Sequence, residues 1–79
     1  MDEELMEALV DLREEDSLRI AREMLEGGTE PLHVVEVAKA ALKTVGERYE
    51  RREYFLSALI MSGEIFRELV AMLEDRFAS

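Results

Sequence analysis

Apolar residues near the start of the chain recur at intervals of four and three, Leu5, Leu9 and Leu12, with Met6 and Val10 widening the same stripe. This pattern predicts an amphipathic helix over residues 2–12. Asp2, Glu3 and Glu4 suit the positive end of its dipole. The polar run Arg13-Glu14-Glu15-Asp16-Ser17 breaks the stripe, and Asp16 or Ser17 can accept hydrogen bonds from the free amides of a second helix. That helix is predicted over 17–26, with Leu18, Ala21, Met24 and Leu25 on one face and Arg19, Arg22, Glu23 and Glu26 on the other. Gly27-Gly28 stops it, because glycine takes the left-handed conformation a helix C-terminus needs. Thr29-Glu30-Pro31 then offers a cap and a proline for the next helix start.

The third helix is predicted over 31–51, with Val34, Ala38, Ala41 and Val45 on one stripe and Val35, Leu42 and Tyr49 on its neighbour. Gly46 costs about 1 kcal/mol there relative to alanine, which predicts a close approach of the fourth helix to bare backbone. After a charged turn at Arg51 to Glu53, the fourth helix is predicted over 56–75. It is apolar on more than one face: Leu56, Leu59, Ile60, Gly63, Phe66, Val70 and Leu73 form one band, and Met61, Ile65, Leu69 and Met72 another. A helix at the edge of a small bundle needs one stripe, so the surplus points to a central position or to a covering partner. The fold class is all-α: a four-helix bundle with short connections and neighbouring helices antiparallel.

Seventy-nine residues make one domain, and a chain of that length buries only roughly 60% of its unfolded surface, so a catalytic cleft within its own core is not expected. The formal charge of −9 repels phosphate backbones and anionic lipid, which excludes nucleic acid and membrane surfaces as partners. Residues 2–16 hold eight of the acids against Arg13 alone, and the expected role is a solvated face. The chain has no cysteine, no apolar run of membrane-spanning length and no signal-like start, so a cytoplasmic location is expected.

Nothing in the residue pattern supports autonomous catalysis. His33 is the only histidine, and it is read as a surface residue. Glu3 with Glu7 and Glu64 with Glu68 share faces, but a diiron site needs a Glu-x-x-His on paired helices. Arg48, Arg51 and Arg52 stand among Glu47, Glu50 and Glu53, which predicts helix-surface ion pairs. The turn at Arg51 to Glu53 brings Tyr49 toward Leu56 and Leu59, and from the residues alone that cluster is either core or a lid.

The segments Val45-Gly46-Glu47-Arg48-Tyr49-Glu50 and Glu53-Tyr54-Phe55-Leu56-x-x-Leu59, with Gly28-x-x-Pro31-Leu32 upstream, carry a family likeness. They resemble the helical cap module that precedes the cobalamin-binding domain in methionine synthase and in the corrinoid proteins of methanol and methylamine methyl transfer. The resemblance spans nearly the whole chain. It implies that Tyr49, Leu56 and Leu59 cover the upper face of the corrin and shield a cobalt-bound methyl group, with no metal ligand and no catalytic residue in the chain itself. It implies methylcobalamin as the cofactor once the cap is joined, in cis or in trans, to a cobalamin-binding Rossmann-like domain, and a methyltransferase subunit as a further partner. Residues 1–79 would then be the cap alone, without the Asp-x-His-x-x-Gly segment that supplies the lower ligand and without tight cobalamin binding of their own. The alternatives are the cap of a cobalamin-sensing regulator, or a free-standing interaction module that forms a homodimer through the helix at 56–75.

Overall fold

The computed structural model describes the backbone of residues 1–78 and the side chains of residues 1–76. Four helices follow one another: α1 (Asp2–Val10), α2 (Glu14–Glu26), α3 (Pro31–Glu50) and α4 (Leu56–Ala78). No strand occurs among the described residues. The nitrogen of His33 and the carboxylate of Asp2 pair the beginnings of α3 and α1, and the Tyr54 hydroxyl reaches the last residue of α1 from the turn after α3. Thus α1 and α3 run in one direction, and α2 and α4 return in the other. Around the bundle the order is α1, α3, α4, α2.

The core follows from the helical period. Leu5, Ala8 and Leu9 of α1, Ile20, Ala21, Met24 and Leu25 of α2, Val34, Ala38 and Ala41 of α3, and Ile65, Leu69 and Leu73 of α4 form one buried cluster. The predicted stripe of α3 is buried throughout, Val45 included. In α4 the buried stripe is Ala58, Ser62, Ile65, Leu69 and Leu73, a recurrence of four and three that splits the two bands expected from the sequence. Ser17 is fully buried in α2, and its hydroxyl is satisfied by donating to the Arg13 carbonyl at 2.6 Å.

All three inter-helix turns use the same closure. Arg13 N–H donates to the Ala8 carbonyl and Leu12 N–H to Leu9; Thr29 and Gly28 bond Met24 and Leu25 in the same way, as do Glu53 and Arg52 with Arg48 and Tyr49. This is the Schellman arrangement, which needs one left-handed residue per turn. Gly28 meets that need at φ 99°, but Leu12 (φ 61°) and Arg52 (φ 64°) do so with side chains.

This closure corrects several expected boundaries. The first helix ends at Val10 rather than residue 12, because Leu12 turns left-handed. The second starts at Glu14 rather than 17, with Arg13 in the capping place and no side-chain cap, so Asp16 and Ser17 lie inside it. The third ends at Glu50, and the fourth continues to Ala78. Gly46 is also corrected: a β-carbon there would meet nothing within 4 Å, so the fourth helix does not press on that backbone.

Lengths decide what is left uncovered. The first residue of α2, Glu14, faces Glu68 and Glu64 of α4. The first two turns of α4, residues 56–63, therefore project past α2 by roughly 12 Å. Hydrogen bonding with Glu68, followed by repulsion from its charge, raises the Glu14 carboxyl above its usual 4.5. A raised carboxyl favours the folded state below the unfolded value, and that contribution is lost as pH rises through the folded value. Glu68→Gln is accordingly expected to raise the melting temperature at pH 7 and to have little effect below pH 4.5; thermal melts at both pH values measure this, and an equal shift at both would contradict it. Arg52→Gly, which relieves the left-handed residue, is expected to stabilise by about 1 kcal/mol in denaturant unfolding, the left-handed cost less the entropy of glycine.

Candidate functional site

The overhanging end of α3 and α4 carries the most exposed apolar surface. Phe55 is 82% exposed, Leu56 and Ile60 are each 58% exposed, Met61 is 45% exposed and Tyr49 is 41% exposed. These values exclude a core role for Tyr49 and Leu56, one of the two uses the sequence left open. Leu56, Ile60 and Gly63 succeed one another at four and three, so they share a face of α4, and Gly63 leaves that face open. A monomer of this size rarely leaves so many large apolar groups together without a function for them.

Tyr49 and Leu56 line a common hollow of ≈ 450 Å³ over the turn, together with Glu50, Arg52, Tyr54 and Phe55. The structure thus brings together two of the three residues singled out from the sequence. Leu59 is half-buried and does not line the hollow. Phe55, which the sequence places just after the turn beside Leu56, is the most exposed of the group, and Ile60 was missed as a member although the surplus of apolar faces on the fourth helix was its signal.

Tyr54 holds this end in place. Its hydroxyl donates to the Val10 carbonyl at 2.7 Å, and the Arg48 guanidinium lies over its ring, 5.6 Å from the centroid. The last four carbonyls of any α-helix lack partners within it. In α1 the carbonyls of Glu7, Ala8 and Leu9 are taken by the following turn, and Tyr54 takes that of Val10. Among the described residues Arg48 does not form the expected helix-surface ion pair; of the three arginines, Arg51 alone pairs there, with Glu53 at 3.0 Å.

The patch can take an apolar ligand face, with the Glu50 carboxylate and the Arg52 guanidinium lining the same hollow. Among Tyr49, Phe55, Leu56, Leu59 and Ile60 the only polar atom beyond the backbone is the Tyr49 hydroxyl. Among the described residues, no helix is long and apolar enough to cross a membrane. A family model described as a B12 binding domain matches residues 1–74. No curated protein and no solved structure matches the chain.

Removing the Tyr54 hydroxyl should loosen the site without emptying the core. Tyr54→Phe is expected to lower stability by about 1 kcal/mol, the usual worth of such a bond, and to shift the amide resonances of residues 10–13 and 49–56 together; shifts confined to the vicinity of residue 54 would show that the tie to α1 carries no weight.

Proposed function

The chain belongs to the B12 binding domain family, the helical cap domains of corrinoid proteins, and from that premise we propose that its projecting end covers the upper face of methylcobalamin held by a cobalamin-binding domain in a methyl-carrier protein. One observation supports this above the others: Tyr49, Leu56 and Phe55 stand exposed around one hollow where a self-sufficient bundle would have buried them. When bound, cobalamin supplies the cobalt centre to which a methyl group is attached and from which it is passed on.

The residues of this chain act by exclusion. Leu56 and Ile60 present only hydrocarbon, and Tyr49 adds a ring, so these three displace water and bring no carboxylate, imidazole or thiolate of their own, while the Glu50 carboxylate lines the same hollow. Leu59, half-buried, adds the hydrocarbon that remains exposed on its side of α4. A cap of this kind must also leave, so that acceptor and donor can reach the same face. Modest apolar contact suits a lid that closes and opens repeatedly. The methyltransferase partner belongs to this reading as well, as does an intracellular setting.

The test joins or mixes the chain with a cobalamin-binding domain loaded with methylcobalamin and follows photolysis by absorbance. The double variant Tyr49→Ala, Leu56→Ala should speed loss of the methyl group relative to the unaltered cap. Equal rates, with both proteins folded by circular dichroism, would remove these residues from the role.

A further inference from the structure

Between α1 and α3 runs a second hollow, a groove of ≈ 550 Å³ that shares no lining residue with the one over the turn. Its floor is apolar and shallow: Met6 and Val10 from α1, Val37, Ala40 and Thr44 from α3. Met6 and Val37 are half-buried, and Ala40 is exposed. From Val37 to Arg48 the α3 wall extends roughly 16 Å, about three helical turns. The small side chains at Ala40 and Thr44 would let another backbone approach closely.

The rim is acidic. Asp2, Glu3, Glu7 and Asp11 border the groove along α1, against Arg48 alone at its far end. The charge of Arg48 lies over the Tyr54 ring. Asp2 meets His33 and Glu7 comes within 4.0 Å of Arg13, while Glu3 and Asp11 form no ion pair among the described residues. An apolar trough about three turns long, small-floored and bordered by unneutralised carboxylates, has the shape and charge of a helix-receiving groove.

We propose that the α1–α3 groove receives an amphipathic helix of a partner protein, one with an apolar stripe and Lys or Arg beside it. The stripe would cover Met6, Val37 and Ala40, and the basic flank would meet Glu3 and Asp11. A second copy of this chain fits poorly, since each copy carries −9 and would bring further acids to an acidic rim. The inference does not depend on the cap reading, because it concerns another face and other residues.

The probe is a synthetic helical peptide of about 16 residues, long enough to span the groove, with a Leu/Ala stripe and Lys on the flank; the control has Glu for every Lys. Each is titrated into the isotopically labelled full chain and followed by NMR. The basic peptide should shift Met6, Val10, Val37 and Ala40, and the acidic one should not. Glu3→Gln with Asp11→Asn should weaken binding about fivefold, the worth of two exposed ion pairs, and Ala40→Arg, at an exposed helical position, should abolish it. Shifts confined to Phe55, Ile60 and Met61, equal binding of both peptides, no shifts at all, or shifts that follow protein concentration without peptide would each overturn the proposal, the last in favour of self-association.

Discussion

A helix hides its apolar side chains only along the length for which a neighbour runs beside it, and in this bundle the helices are unequal. The two long helices, α3 and α4, meet at a turn that α2 does not reach, since α2 begins opposite Glu64 and Glu68. The projecting segment keeps its inner face covered, with Ala58 and Ser62 buried, and carries Leu56 and Ile60 on its outer face. Leu56 and Ile60 are no less apolar than Leu69 and Leu73; they differ in lying on the face of α4 turned away from the buried stripe of Ala58, Ser62, Ile65, Leu69 and Leu73. The chain thus gives α4 one face that holds the fold together and, in its first two turns, an apolar outer face available for contact with something else.

Much of the architecture was legible in the residues. Gly27-Gly28 and Pro31 marked a boundary because their backbone preferences are intrinsic, and the α3 stripe from Val34 to Val45 was legible because all its members face the same side at the helical period. The first turn was misjudged for a physical reason. Leu12 adopts a conformation normally left to glycine, so no composition signal marks the stop, while Asp16 and Ser17 imitate a cap one turn too late. Gly46 misled because a helical glycine suggests close packing, whereas the space beside it is open.

The candidate site was legible in a different way. Tyr49 and Leu56 were identified through family resemblance, and periodicity alone could not distinguish a buried cluster from an exposed one, because α4 is apolar on more than one face and the pattern does not say which face a neighbour covers. The hydrogen bond from Tyr54 to Val10 had no local signal, as its partners lie 44 residues apart. Charge proved informative only once placed in space: the acids of α1 read as a solvated face in sequence, yet Glu3, Glu7 and Asp11 line one edge of an apolar trough.

The tie between Tyr54 and Val10 also constrains how the patch can move. It fastens the turn after α3 to the end of α1, and α1 in turn lies against α3 along the shared core. Bending the turn outward on its own would strip the Val10 carbonyl of its donor and draw Tyr54 away from Arg48. Moving the surface around Phe55 away from the bundle therefore costs that bond, about 1 kcal/mol. Displacing the four-helix body as a whole leaves that bond intact, so the patch travels more cheaply with the bundle than away from it.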